Sequence, residues 1–252
     1  MKSPLPQFEI HADAQALFRA TAEKFVQIAN AAVMKQGAFF VALAGGNTPR
    51  ELYILLAQEN WRARVLWQQT HIFFGDERCV PPDHPDSNYR MACEALITKI
   101  NIPESHVHRM AGEDNPHGAA AAYGEEIFKT FGAKELKPPR FDLILLGLGN
   151  DGHTASLFPE TSALHEKEKL VTANYVEKFK SYRLTMTLPL LNASHHLLFL
   201  VSGKSKAAIV KEIFENKKRL FQYPAELVQP NDGKLLWLLD HTAGAALQSS
   251  AS

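Results

Sequence analysis

The sequence predicts an α/β fold, a doubly wound and mostly parallel sheet with helices on both faces. Three observations predict it. Short apolar runs recur at 38–44, 71–74, 143–146 and 196–201 without polar alternation, as strands covered on both faces should read. Each run stops at or just before a glycine: Gly45, Gly75, Gly147 and Gly203. Between the runs lie stretches with apolar residues at helical spacing, so strand and helix alternate along the chain.

The first helix spans about residues 13–35, with Leu17, Phe18, Ala22, Phe25, Ile28, Ala29 and Ala32 on one face and Gly37 at its end. The residues before it, MKSPLPQFEIHAD, read as a short polar lead. The strand Ala38–Ala44 then runs into Gly45-Gly46-Asn47-Thr48-Pro49-Arg50-Glu51. Thr48 fits an N-cap, Pro49 the first helical position and Glu51 the third, a T-x-x-E capping box. Leu52, Leu55 and Leu56 supply the inward face of that helix. A strand, two glycines and a helix start leave backbone N–H groups free at the positive end of a helix dipole, an anion site. It is not a Walker loop, because no Gly-Lys-Ser/Thr follows. The competing reading is an ordinary tight turn.

The strand His71–Phe74 leads to Gly75-Asp76-Glu77-Arg78 and a rigid loop containing Pro81, Pro82 and Pro85. Ser87 caps a helix reaching about Ile100, with Tyr89, Cys93, Leu96 and Ile100 on one stripe. Asp76 and Arg78 form either a surface ion pair, worth little, or part of a site at the carboxyl end of a strand. Cys79 beside them has no histidine placed by local spacing to activate it. A short strand candidate covers Val107–Met110, and an Ala-rich helix runs from about His117 to Phe131, stopped by Gly132 and Pro138-Pro139.

Residues 141–159, FDLILLGLGNDGHTASLFP, are the stretch on which the rest converges. An apolar strand gives way to Gly147, Gly149 and Gly152, with Asp151 and His153 among and just after them. Gly147-Leu-Gly149-Asn-Asp-Gly152 is literally the dinucleotide fingerprint, but that pattern needs a helix at its third glycine and an acid about 20 residues on. Here Pro159 arrives seven residues after Gly152, and Glu166 and Glu168 lie in a charged run. The fingerprint is therefore incomplete, a nucleotide-binding oxidoreductase stays a rival that NAD(P) titration would decide, and His153 is left where a reactive group is useful.

Further strands are expected at Leu170–Val176 and Tyr182–Met186, the second presenting Arg183, followed by a short helix from Leu188. The strand His196–Val201 meets Ser202-Gly203-Lys204-Ser205-Lys206 and a helix over Ala207–Lys217. Lys204 at that helix start opposes the dipole, so it is either functional or simply solvated. Leu235–Leu239, Asp240 and an Ala-rich helix close the chain.

At 252 residues the chain has room for one large α/β domain, here read as a single unit over 1–252. Hydrophobic residues at 46% and charged ones at 21% exclude disordered and fibrous classes. Lys+Arg and Asp+Glu are both 27, so no basic footprint for nucleic acid or a membrane surface exists, and an anionic substrate must be met by local cations. Cys79 and Cys93 make no disulfide framework and no metal-ligand spacing. With no apolar targeting segment or membrane-length run, the expected location is cytoplasmic. No H-E-x-x-H, C-x-x-C pair or G-x-S-x-G elbow supports a metalloenzyme or a serine hydrolase. The strand ends together suggest general acid–base chemistry on a small phosphorylated ligand, without metal or other cofactor.

The segments ALAGGNTPRELY (42–53), IFFGDERCVPPDHPDSNYRM (72–91), FDLILLGLGNDGHTASLFP (141–159), RLTMTLP (183–189) and LVSGKSKA (200–207) resemble the 6-phosphogluconolactonase family. Its superfamily also includes glucosamine-6-phosphate deaminase, which shares the glycines and histidine of GNDGHTASLFP but continues toward Asn-Glu-Pro. Asn47 departs from the serine of the Gly-Gly-Ser-Thr-Pro form, which puts only a side-chain contact in doubt. The resemblance implies hydrolysis of 6-phospho-D-glucono-1,5-lactone to 6-phospho-D-gluconate in the oxidative pentose phosphate pathway. It implies His153 as the general base, with Asp151 or Asp76 orienting the imidazole, and an imidazole's ordinary pKa of about 6.5 suits that task. Gly45, Gly46, Asn47, Thr48 and Gly149 would line the substrate site, with Arg78, Arg183 and Lys204 as phosphate cations. The alternatives are a phosphosugar deaminase or isomerase on the same fold and a phosphosugar-binding module without catalysis.

Overall fold

The structure is a computed structural model that describes residues 7–132, 137–215 and 223–247. The chain runs β1 (Gln7–His11), α1 (Ala14–Gln36), β2 (Phe39–Leu43), α2 (Asn47–Leu56), the single-turn α3 (Glu59–Arg62), β3 (Thr70–Phe74) and β4 (Asp76–Arg78). It continues through α4 (Asn88–Ala95), α5 (Pro116–Thr130), β5 (Leu143–Leu146), β6 (Val171–Val176), β7 (Ser181–Met186), α6 (Leu188–Ala193) and β8 (His196–Val201). Last come α7 (Ala207–Glu215), β9 (Lys234–Asp240) and α8 (His241–Gly244). The predicted end of the seventh helix, Lys217, lies outside the described residues.

Six strands pair in parallel in the order β1-β9-β8-β5-β2-β3. The apolar runs explain why. Along β5, Ile144 and Leu146 face one core while Leu143 and Leu145 face another. Along β8, Leu197, Phe199 and Val201 join the first core, and Leu198 and Leu200 the second. One core is closed by α5, α6, α7 and α8, the other by α1, α2 and α4. Each fully buried leucine or phenylalanine contributes about 1.5–3 kcal/mol, so neither face of the sheet can be left open. This is the doubly wound fold the sequence predicts.

A second, antiparallel sheet of β4, β7 and β6 sits beside the first. The sequence did not suggest that Asp76-Glu77-Arg78 is a strand. It has no apolar residue, and pairing with Arg183–Thr185 of β7 imposes its conformation.

Four other expectations are corrected. The polar lead contains β1, an edge strand paired with β9. Val107–Met110 forms no strand, only an isolated bridge from Val107 to Ile72. The helix capped by Ser87 stops at Ala95 and is followed by a 3₁₀ turn at Ile97–Lys99. The Thr48 capping box does not form: α2 starts one residue earlier, with Gly46 at its N-cap in a left-handed conformation (φ 97°) and no side-chain cap. Glu51 instead pairs with Arg50. Among the described residues, no helix is long and apolar enough to cross a membrane.

Candidate active site

The parallel sheet reverses its winding between β2 and β5. From β2 the chain moves outward to β3; from β5 it moves the other way to β8 and β9. Loops leaving the carboxyl ends of β2 and β5 part there, the position where open α/β sheets bind ligands. A cleft of about 540 Å³ opens at that point.

One wall comes from the loop after β2. Gly45, Gly46, Asn47, Thr48 and Pro49 all line the cleft. Because no side chain caps α2, the N–H groups of Asn47 and Thr48 remain available at the positive end of the helix. Gly45 has no alternative: a Cβ would lie 1.9 Å from the Asn88 side-chain oxygen.

The opposite wall is the loop after β5. No helix opens at Gly152; the chain makes tight turns, with Gly149 N–H donating to the His153 carbonyl (2.8 Å) and Gly152 N–H to the Gly149 carbonyl (3.1 Å). The turn brings His153 Nδ1 to 2.5 Å from Asp151 Oδ1. It also explains Gly149, where a Cβ would sit 2.0 Å from that same Nδ1. Phe158 stacks on the imidazole with ring centres 4.1 Å apart, fixing its plane. With Nδ1–H donated to the carboxylate, Nε2 is the basic nitrogen. Burial pushes the Asp151 carboxyl up. The hydrogen bond and charge of His153, with Lys178 at 3.3 Å, outweigh that and hold it below the usual carboxylate range.

The second sheet supplies cations. Arg78 of β4 and Arg183 of β7 stand directly opposite each other in register. Like charges so placed repel, and burial together with Arg78 pulls the Arg183 pKa down. Among the described residues neither arginine is within ion-pair distance of a carboxylate. Arg183 lies over Phe179 at 5.1 Å, and Arg78 donates to Asn88 Oδ1 (2.5 Å) and the Asp86 carbonyl (2.6 Å). Asp76 also lines the cleft, its carboxylate taken by the Ser156 hydroxyl (2.6 Å) and the Asn88 amide (3.2 Å). It does not contact His153, so of the two carboxylates the sequence offered, Asp151 is the one on the imidazole.

Of the residues expected from sequence, Gly45, Gly46, Asn47, Thr48, Asp76, Arg78, Gly149, His153 and Arg183 share this cleft, and Asp151 stands behind His153. Lys204 does not join them. It is exposed on a 3₁₀ turn, Lys204–Lys206, and the lysine lining the cleft is Lys206. Lys206 Nζ donates to Asn150 Oδ1 at 2.7 Å, and burial lowers its pKa against the opposing pull of Asp151. Sequence reading also missed Asn88, Ser156, Phe158 and Phe179. Phe158 was legible as part of SLFP, but Asn88 lies beyond a proline-rich loop with no periodic signal. Among the described residues, no group of three or more His, Cys, Asp or Glu side chains is arranged to hold a metal ion.

The family model for glucosamine-6-phosphate isomerases/6-phosphogluconolactonase matches residues 12–237. The chain belongs to that family. Among its members, a 6-phosphogluconolactonase of Synechocystis sp. is 42% identical over 244 residues, covering 96% of this chain and 99% of the relative. The human 6-phosphogluconolactonase is 36% identical over 256 residues, covering 98% and 96%. The solved 6-phosphogluconolactonase from Trypanosoma cruzi superposes with a TM-score of 0.87 at 28% identity, over 98% of each chain. The family's fold therefore extends over nearly the whole chain, with both walls of the cleft inside the matched segment.

Proposed function

We propose that this chain hydrolyses 6-phospho-D-glucono-1,5-lactone to 6-phospho-D-gluconate, the lactonase step of the oxidative pentose phosphate pathway. The observation that carries the proposal is one cleft holding a carboxylate-backed imidazole, an uncapped helix start and two arginines that, among the described residues, form no ion pair. The names of the relatives that match nearly end to end point the same way.

In this reading the substrate phosphate rests on the Asn47 and Thr48 amides, with Arg183, Arg78 and Lys206 neutralising its charge. His153 Nε2 takes a proton from water as the water oxygen bonds to the lactone carbonyl carbon. Asp151 keeps Nδ1–H on the far side of the ring and stabilises the imidazolium. When the tetrahedral intermediate collapses, the bond from that carbon to the ring oxygen breaks and the imidazolium returns the proton to the leaving alkoxide. The carboxylic acid product then ionises and releases one proton. Asp76, held by Ser156 and Asn88, meets the hydroxyl-bearing face of the sugar. No metal or cofactor is required by these steps. The cleft draws on both sheets, which supports treating residues 1–252 as one domain. Unpaired Cys79 and Cys93 suit a reducing, cytoplasmic setting.

The test is a pH-stat assay on freshly prepared lactone, corrected for spontaneous opening, beside an ammonia assay with glucosamine 6-phosphate. Proton release from the lactone without ammonia from the amino sugar is expected. Ammonia release would favour the deaminase reading. Ligand-induced thermal stabilisation with no turnover of either would favour a binding module.

A further inference from the structure

β4 is only three residues long, and its alternation separates their tasks. Asp76 and Arg78 face the cleft, while Glu77 turns away toward the start of α4 and is 2% exposed. Glu77 Oε1 accepts the N–H groups of Arg78 (2.8 Å) and Asn88 (2.7 Å). Its Oε2 accepts the Tyr89 N–H (2.8 Å) and the Ser87 hydroxyl (3.0 Å). Ser87 Oγ in turn accepts from the Arg90 N–H (3.1 Å). The first three N–H groups of α4 are therefore all satisfied, two of them by a carboxylate from a different element. Burial pushes this carboxyl up, and the three backbone donors pull against that.

A serine alone caps a helix adequately, and a buried carboxylate is costly to keep. What the carboxylate adds is a fixed position for Asn88. The Asn88 amide donates to the Asp76 carbonyl (2.8 Å) and carboxylate (3.2 Å), and its oxygen accepts from Arg78 (2.5 Å). Gly45 packs against the same side chain. One asparagine thus joins the cleft carboxylate, a cleft guanidinium and the glycine loop.

Resting on the lactonase reading, we propose that Glu77 is a positioning residue: it clamps the first turn of α4 so that Asn88 holds Arg78 and Asp76 in place against the loop after β2. The test is a double-mutant cycle of Glu77→Gln with Arg78→Ala, read as kcat/KM for the lactone and as Kd for 6-phosphogluconate by calorimetry. Glutamine keeps the shape but must turn two N–H groups toward either pair of donors, so one side of the clamp opens. Glu77→Gln should lower kcat/KM about 30-fold in the wild-type background, and no more than about fivefold beside Arg78→Ala, because the guanidinium is already gone and only the hold on Asp76 is left to lose. A purely structural role predicts losses that multiply, and that result overturns the proposal.

If melting curves show Glu77→Gln unfolded, Ser87→Ala removes the hydroxyl that donates to Glu77 and accepts from the Arg90 N–H, and leaves the carboxylate on the other donors. A loss of about threefold, again smaller beside Arg78→Ala, is then expected. No loss in the wild-type background, or an undiminished loss beside Arg78→Ala, overturns the proposal. A wild-type chain that turns over no lactone counts against the lactonase reading instead, and the cycle is then decided on Kd alone; absence of both turnover and binding overturns both.

Discussion

Replacing Asp151 by asparagine removes one charge and almost no volume, at a residue that touches the imidazole but does not line the cleft. Its Oδ1 accepts from the His153 ring at 2.5 Å and its Oδ2 from Lys178 at 3.3 Å. In Asp151→Asn the amide has two orientations. With its oxygen on the ring, the NH₂ group meets the Lys178 ammonium, donor against donor. Flipped, the NH₂ group forces the ring proton onto Nε2, and the nitrogen that should accept the water proton is blocked. The first orientation also loses the carboxylate charge opposite the imidazolium. A charge-assisted hydrogen bond of this kind is worth about 1.5–3 kcal/mol, or about a 10- to 150-fold drop in kcat. KM should stay within about threefold, since substrate contacts are untouched. Steady-state rates on fresh lactone, followed by coupled dehydrogenase at several substrate concentrations, separate the two constants. An unchanged kcat, or a defect confined to KM, would refute the reasoning.

Other perturbations follow from the same geometry. Lys206→Ala should raise KM about tenfold with little effect on kcat, while Lys204→Ala changes neither; initial-rate kinetics on both variants checks the exchange of lysines. Gly149→Ala places a Cβ 2.0 Å from His153 Nδ1, and a displacement of about 1 Å at the base should cost about 100-fold in kcat while circular dichroism stays that of the wild type. Away from the site, burial and the neighbouring His106 and His108 depress the His71 pKa to about 4. The unfolded chain takes up that proton near pH 6.5, so the stability contributed by neutral His71 is full above about pH 6.5 and lost as pH falls toward about 4. The shift corresponds to about 3 kcal/mol, reduced to about 1–2 kcal/mol by solvent screening of a partly exposed ring. Denaturant midpoints between pH 7 and pH 4.5 should therefore fall less for His71→Gln than for the wild type, and equal slopes would contradict the cause assigned.

The central sheet was legible because its strands are covered on both faces: Leu143–Leu146 and His196–Val201 are apolar throughout and stop at glycines. β1 was not, since Gln7–His11 is a five-residue edge strand with no fully buried position, and its apolar Phe8 and Ile10 are themselves exposed. β4 had no apolar signal at all, and only pairing with β7 makes Asp76–Arg78 extended. At α2 the T-x-x-E pattern was present, but the left-handed conformation of Gly46 lets the helix begin at Asn47, with no side chain capping the Asn47 and Thr48 amides. His153, Asp151 and Arg78 were legible because each follows closely on the carboxyl end of an apolar strand, and Arg183 because the alternation of Tyr182–Met186 places it on one face. Lys204 was expected in the cleft where Lys206 lies, because a 3₁₀ turn, invisible to helical periodicity, separates the glycine from α7. Glu77 escaped notice between two more conspicuous neighbours, three of its four partners lying 10–12 residues onward.

Turnover and binding measured side by side in His153→Ala decide whether this imidazole is the base. Hydrolysis of the lactone above the spontaneous rate should fall at least about 100-fold, with calorimetric affinity for 6-phosphogluconate within about threefold of wild type. Hydrolysis at the wild-type rate in that variant would contradict that role.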